Sequence, residues 1–519
     1  KGNSFLAFLA SDAGYEYMLI GKLFAAAYAP YVVPPLLLIT ASLISYHYIG
    51  AEAMVQAWSD EASRNILAVA MISTLSILML IYMKTKDPSI YLVDFASYKS
   101  LDKYKLSTEH CVQITRDAKT STPSNMLFQL KVLLKSGLGD DVYGPPFLFT
   151  NPIQAPSLAS ANAEMDHMMF GALDELLAKT SMDPSQIDFL IVNVSMFYPS
   201  PSLSSHLVHH YKMRQDVKTF NISGMGCAAG MVALDLAKDM LRVHKDKYVV
   251  VVGTENITLN WYYGNDRSML VPNCLFRCGS YALLLSNKKS DKRRSKLELL
   301  RSVRTTTGAN DKSYNVIFTK EDDEGIMGTS LSVELLDVAA KAVTISMTKL
   351  VPDFMPFSEL LKVGVNALRR TVFHVNTKPY LPDFKKAFNH FCLHPGGKAV
   401  VDGIAKSLKL SDYDVEPAKM SLHRFGNTSS SGLWYAMAYC EAKERLKRGD
   451  KVWQLALGSG FKCNSVVWKV LRDVKPVVGF NPWMDCIDQY PLEVPDTIGP
   501  SHKHYEFFKQ TEEDIKTFT

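Results

Sequence analysis

Paired cysteines are missing from this chain. Its eight cysteines are scattered over 519 residues without the spacing of an oxidised framework, which suits a reducing compartment. Cys274-Leu-Phe-Arg-Cys278 has no second ligand pair at zinc spacing and reads as core. His390-Phe-Cys-Leu-His394 has the spacing of a zinc-protease pair, but no glutamate follows the first histidine, so no metal is expected there. Gly396-Gly-Lys-Ala399 lacks both the upstream glycine and the Ser or Thr of a phosphate loop. Charge of one sign is scarce too: 57 basic against 52 acidic residues leave +5. No basic stripe interleaved with aromatics is present, so nucleic acid is not an expected partner. The basic run from Lys288 to Lys296 reads most simply as a solvated loop, with anionic lipid or CoA phosphate as the alternative contact.

What the chain has in abundance near its start is apolar length. From Leu23 to Ala51 there is no Asp, Glu, Lys or Arg, and a second such run extends from Ile66 to Met83. Each is long enough to cross a bilayer as a helix, which predicts spans at about 23–49 and 66–83. The bland alternative is a helical hairpin buried in a soluble domain. A cleaved signal peptide is not expected, because the first run begins late and another follows closely. Lys22 precedes the first run, Lys84 and Lys86 follow the second, and Glu52, Asp60 and Glu61 outnumber Arg64 between them. The positive-inside bias therefore puts both ends in the cytosol and the short loop on the far side. Residues 1–87 form the expected anchor. The chain begins at Lys1 rather than methionine, so further residues are expected ahead of it. The rest is long enough for a large catalytic unit of two fused halves, 88–330 and 331–519.

Cys227 lies in Asn221-Ile-Ser-Gly-Met-Gly-Cys-Ala-Ala-Gly230, after a strand-like stretch and before a long helical pattern. A thiol at a helix start meets unpaired N–H groups and the positive dipole end, which stabilise a thiolate. The helix is apolar on most sides (Val232, Leu234, Leu236, Ala237, Met240, Leu241), so it is expected to be buried. Inert packing is the plain alternative for such a cysteine. An internal repeat argues against it. His423-Arg-Phe-Gly-Asn-Thr-Ser-Ser-Ser-Gly432 precedes a second helical run, and Gly426-Asn427 stands where Gly226-Cys227 stands in the first copy. Both helices end in basic turns and run into strands, Tyr248–Gly253 and Val452–Gly458. Upstream, Phe189–Ser195 matches Phe388–His394.

Two such units predict two α/β halves related by a pseudo-twofold axis, which brings Cys227, His394 and Asn427 to one central point. A thiolate can accept an acyl group, while imidazole and carboxamide N–H groups can hold an oxyanion. The backbone of Gly226 and the loop Gly458-Ser-Gly460-Phe461 are candidate further donors. Taken singly, His394 reads as a satisfied strand-end histidine and Asn427 as a helix N-cap. Their matching positions in the repeat favour the functional reading.

With these residues the chain resembles the 3-ketoacyl-CoA synthases of the plant-type fatty-acid elongase, membrane-bound members of the thiolase-like condensing enzymes. The likeness runs from about Tyr91 to Pro491. It is carried by Tyr91-Leu-Val-Asp-Phe-Ala96, Gly224-Met-Gly-Cys227, Thr254-Glu-Asn-Ile-Thr258, Gly264-Asn-Asp-Arg-Ser-Met-Leu270, Gly458-Ser-Gly-Phe-Lys-Cys-Asn-Ser465 and Asn481-Pro-Trp-Met-Asp-Cys-Ile-Asp488. The resemblance implies a thiolase-like fold of two similar halves in five layers, behind the two-helix transmembrane hairpin, and a homodimer. It implies decarboxylative Claisen condensation of a long-chain acyl-CoA with malonyl-CoA, without metal or redox cofactor. Cys227 would carry the acyl group, and His394 and Asn427 would bind the malonyl thioester oxygen. Backbone near Gly226, Gly458, Gly460 and Phe461 would hold the tetrahedral oxyanion. Also implied are an endoplasmic-reticulum membrane setting with the catalytic domain facing the cytosol, and a ketoreductase, a dehydratase and an enoyl reductase as partners.

The sequence departs from the family pattern at a few points. Pro395 replaces an alanine after His394, Ser97 and Val194 replace cysteines, and Thr306 stands where the family has histidine. Two other readings accompany the synthase. One is a non-catalytic or altered-specificity elongase subunit on the same fold. The other is a membrane-anchored Cys-His-Asn hydrolase, which the missing Cys-Gly-Ser/Ala-Cys-aromatic signature disfavours.

Overall fold

The computed structural model describes residues 72, 73, 76 and 87–517, apart from 119, 151, 152, 154, 496, 500 and 501. The expected membrane spans lie almost wholly outside the described residues, and among those described no helix is long and apolar enough to cross a membrane. The described residues fall into two units. One takes in those of 89–347 and 381–517, and the other 72, 73, 76, 87, 88 and 348–380.

The larger unit is a mixed α/β structure around one nine-stranded sheet. Its first strands are β1 (Ile90–Tyr98), β2 (Phe189–Asn193), β3 (Lys218–Ile222), β4 (Tyr248–Thr254) and β5 (Ser280–Ser286). They are joined by β6 (Leu297–Thr306), β9 (His390–Leu393), β10 (Lys451–Gly458) and β11 (Lys462–Val470). A separate antiparallel hairpin pairs β7 (Ile317–Glu321) with β8 (Met327–Leu331). The sheet order is β3-β2-β4-β5-β1-β6-β11-β10-β9. Read outward from the β1–β6 seam, both sides run antiparallel and then parallel, with β2–β4 and β9–β10 as the equivalent parallel pairs. The repeat read from Phe189–Ser195 and Phe388–His394 is thus a repeat of strand position. β6 pairs with β11, so a strand that precedes residue 330 completes the second side of the sheet. β3 has no counterpart beyond β9 among the described residues.

Composition explains the layering. Tyr248–Thr254 and Ser280–Ser286 are unbroken apolar strands with almost every residue buried, as strands covered on both faces must be. α1 (Leu158–Thr180), started by a Ser157–Ser160 capping box, packs on β1 and β5. α2 (Ala229–Val243) packs on β2 and β4, and its equivalent α5 (Gly432–Ala442) packs on β9 and β1, with α3 (Leu335–Phe354) and α4 (Phe357–Thr371) lying between them in sequence. In α5 every residue from Gly432 to Glu441 is buried, so no solvent stripe is available to it. The two helices meet at their starts. A Cβ on Gly230 would lie 2.7 Å from the Tyr281 hydroxyl and 3.4 Å from Ser430, so only glycine admits this approach.

A buried ion cluster crosses the seam. The Lys296 ammonium lies 2.7 Å from Asp94 and 2.8 Å from Glu441, and Lys179 lies 3.1 Å from Asp94. Burial opposes every one of these charges. Even so, Glu441 and Asp94 hold Lys296 above its ordinary range, and the two lysines hold Asp94 below the usual carboxylate range. The basic run therefore is not all solvated loop. Lys289, Lys292, Arg293 and Arg294 are exposed, but Lys296 is buried where β6 begins. Lys296→Met strands the Glu441 carboxylate without its cation and should lower unfolding free energy by about 3–5 kcal/mol. Urea unfolding measures this, and unchanged stability would show that the cluster does not hold the seam.

Candidate active site

Cys227 occupies a single 3₁₀ turn, Gly226–Ala228, that leads into α2. Gly226 has φ +62°, and a Cβ there would lie 2.5 Å from the Ser459 amide nitrogen. A Cβ on Gly458 would lie 2.7 Å from the Ala228 nitrogen and 2.8 Å from the Met225 carbonyl oxygen. These two glycines let the end of β10 press directly onto the cysteine turn. The second copy has the same turn, Ser429–Ser431, leading into α5, but its register puts Ser430, not Asn427, at the place of Cys227, with Asn427 just ahead of the turn.

Cys227, His394 and Asn427 line one cavity of about 280 Å³. Gly226, Gly460 and Phe461 also line it, whereas Gly458 lies behind it as the packing contact just described. The Phe461 N–H points at the Ser313 carbonyl at 3.4 Å, so that amide is already engaged. His394 closes β9, its N–H donating to the Leu455 carbonyl at 2.9 Å. Its Nδ1 is buried without a hydrogen-bond partner. The Asn427 side chain donates from Nδ2 to the Gly396 carbonyl at 3.1 Å and accepts at Oδ1 from the Ser429 N–H at 2.9 Å. Asn427 is therefore not the cap of α5. Its backbone is fixed across the halves, donating to the Leu275 carbonyl at 3.0 Å and accepting from Arg277 N–H at 3.0 Å. Among the described residues no group of three or more His, Cys, Asp or Glu could hold a metal ion.

Two departures from the family pattern find a place. A Cβ on Gly432 would lie 2.5 Å from the Pro395 ring, so the proline packs on the first residue of α5. Thr306 does not line the cavity, and its hydroxyl donates to the Gly460 carbonyl at 3.5 Å, tying down the loop after β10.

Sequence reasoning missed a third layer of the site. Glu255 follows β4, is buried, and lines the same cavity. It accepts from the N–H groups of Ser195 at 3.2 Å and Met196 at 2.9 Å, and from the Ser429 hydroxyl at 3.2 Å. Ser429 also bears on the Cys227 thiol, whose pKa it lowers, so one hydroxyl serves both thiol and carboxyl. The available signal was a carboxylate placed directly after a wholly apolar strand, in Thr254-Glu-Asn-Ile-Thr258.

Electrostatics alters one expectation. Burial pushes the Cys227 thiol up to about 12, with Glu255 raising it further and the Ser429 hydrogen bond opposing only in part. The helix-start effect expected to stabilise a thiolate is outweighed by loss of solvent, although the sulfur keeps some exposure to the cavity. Burial likewise raises Glu255 against its backbone donors and lowers His394 to about 4. The resting site thus holds a neutral thiol beside a neutral imidazole that can donate one N–H. Much of the rest of the wall is apolar, with Ile317, Phe318 and Leu331 from the β7–β8 hairpin and Leu335 and Ala339 from the start of α3, while Thr319 and Thr329 of the hairpin add hydroxyls. Because only thiolate alkylates readily, the rate of Cys227 alkylation by iodoacetamide should climb steadily from pH 7 to pH 10. A plateau below pH 8 would contradict a thiol held neutral by burial.

Comparison with known proteins places this arrangement. The fold is that of the condensing enzymes of the type III polyketide synthase kind. A crystal structure of a fungal type III polyketide synthase, ORAS, superposes with TM-score 0.58 at 15% identity, covering 73% of this chain and 99% of that one. Residues 82–372 match the FAE1/Type III polyketide synthase-like protein family, and 385–470 match the 3-Oxoacyl-[acyl-carrier-protein (ACP)] synthase III C terminal family. In Arabidopsis thaliana, 3-ketoacyl-CoA synthase 11 is 45% identical over 93% of this chain and 93% of its own length. 3-ketoacyl-CoA synthase 4, from the same plant, is 48% identical over 82% and 83%. The chain belongs to the 3-ketoacyl-CoA synthase family.

Proposed function

We propose that the protein condenses a long-chain acyl-CoA with malonyl-CoA to give 3-oxoacyl-CoA, carbon dioxide and CoA, extending the chain by two carbons as a very-long-chain 3-oxoacyl-CoA synthase. The observation that carries this reading is one cavity lined by a cysteine, a neutral imidazole and a carboxamide beside an apolar wall. Cys227 Sγ attacks the acyl thioester. The new S–C bond replaces the bond to CoA, and the thiol proton passes through Ser429 to Glu255. CoA leaves as thiolate and is protonated by solvent. Malonyl-CoA then loses carbon dioxide, and the electron pair of the broken C–C bond becomes an enolate. The neutral His394 and the second N–H of Asn427 donate to its oxygen. The enolate carbon attacks the Cys227 thioester, forming the C–C bond. The released sulfur recovers its proton from Glu255. Backbone of Gly226 and of the loop carrying Gly458 and Gly460 supports the tetrahedral oxyanion. Decarboxylation supplies the nucleophile, so no metal or redox cofactor takes part.

Around this chemistry we place two halves in five layers, and ahead of them a two-helix membrane hairpin at about 23–49 and 66–83. The apolar runs and their flanking lysines support the hairpin. The same reading puts the catalytic domain on the cytosolic face of the endoplasmic reticulum, as a homodimer working with a ketoreductase, a dehydratase and an enoyl reductase. No observation favours the hydrolase or the non-catalytic subunit.

Radiolabelled acyl-CoA and an elongation assay in microsomes test the division of labour. Cys227→Ala should lose both acylation and condensation. His394→Ala should still become acylated but should not decarboxylate malonyl-CoA, and Glu255→Gln should acylate about 10²-fold more slowly. Full condensation by Cys227→Ala would remove the mechanism. Failure of His394→Ala to acylate would make the imidazole, not Glu255, the proton acceptor.

A further inference from the structure

α4 turns the wrong face outward for a helix in water. Leu361, Val365, Leu368 and Val372 are 51%, 43%, 51% and 60% exposed. At the 100° spacing of an α-helix these four fall within one narrow stripe. The opposite face carries the buried or half-buried Glu359, Leu360, Val363 and Ala367. Glu359 is fully occupied there, bonded to Lys362 at 2.9 Å and to the Tyr380 hydroxyl at 2.7 Å. The helix therefore already has its inner contacts, and the apolar stripe is additional. Just past its end Phe373 and Val375 are 66% and 45% exposed and extend the patch.

The charge beside this stripe has one sign. From Leu360 to Pro382 there is no Asp or Glu, while Lys362, Arg369, Arg370 and Lys378 are basic. Lys362 and Arg369 follow Leu361 and Leu368 by one residue each, so they border the stripe along one flank. An exposed apolar stripe edged by cations matches the interface of a bilayer with anionic headgroups. A second protein copy would meet the same cations with its own and be repelled. The chain itself brings a membrane within reach, through the two apolar runs ahead of residue 88.

We infer that α4 and the segment to Val375 lie in the cytosolic lipid interface, with Leu361, Val365, Leu368 and Val372 among the acyl chains and Arg369 and Lys378 at anionic headgroups. This contact rests on the membrane-anchored reading above, but it is a separate attachment from the two spans.

The test uses the full chain in nanodiscs containing phosphatidylserine, with p-benzoylphenylalanine replacing Leu361, Leu368 or, for comparison, the exposed Val478. Mass spectrometry after irradiation should find phospholipid adducts at Leu361 and Leu368 at several times the yield at Val478. In the same discs, Arg369→Glu/Lys378→Glu should cut those yields several-fold, and discs of neutral lipid should do likewise with the native residues. Equal yields at all three positions, or adducts to a second copy of the chain, would overturn the inference. Extraction of native membranes with alkaline carbonate separates the two readings. Release of the chain would remove the spanning hairpin, whereas retention without lipid adducts at Leu361 and Leu368 would remove only the α4 contact.

Discussion

The structure depends on two short turns forced together at the middle of one sheet. The cysteine turn and the Ser429–Ser431 turn each end a strand-side loop and begin a buried helix, and the helix starts touch at Gly230 and Ser430. Bulk at Gly230 would push these apart, and bulk at Gly226 or Gly458 would push the end of β10 off the cysteine turn. Because α5 is buried all round and the first turns of α2 are buried as well, neither helix start can slide toward solvent to relieve a poor fit. Cys227 from one half and Asn427 from the other are thereby held beside a tightly packed contact. The cross-chain bonds of Asn427 to Leu275 and Arg277 add a second clamp at the same level.

The burial that supplies this rigidity also sets the electrostatic character of the site. A thiol and an imidazole that would titrate near neutrality in water are both held in their uncharged forms. For the imidazole this is useful, since an N–H donor that carries no charge can bind a carbonyl oxygen without attracting the malonyl carboxylate into a stable ion pair. For the thiol it is a cost, which the hydroxyl of Ser429 and the carboxyl of Glu255 address by offering a route for the proton. Around these polar groups the hairpin and α3 contribute mostly hydrocarbon to the cavity wall.

Much of this was legible before any coordinates. Strand–helix–strand periodicity repeats around Cys227 and Asn427, and the sheet places the matched strands β2 and β9, β4 and β10, at equivalent positions. What could not be read depended on contacts between distant segments. Lys296 looks like the end of a solvated basic run until Asp94 and Glu441 arrive from other elements. Glu255 looks like a loop residue until Ser195, Met196 and Ser429 fold around it. The thiolate expected from the helix start shows a local rule outweighed by a global one. The dipole acts over one turn, whereas loss of water acts from every side.

Ser429 carries a further consequence. Its backbone sits at φ +55°, a left-handed conformation that costs a residue with a side chain about 1–3 kcal/mol. The Asn427 carboxamide oxygen, gripping its N–H, is the brace that keeps it there. Asn427 therefore works at both ends of its amide: the nitrogen is bound to Gly396 beside the cavity, and the oxygen holds a sprung hinge that aims the Ser429 hydroxyl at the Glu255 carboxyl. Exchange of that single amide for an isosteric carbon group would release the Gly396 loop and the Ser429 hinge at once.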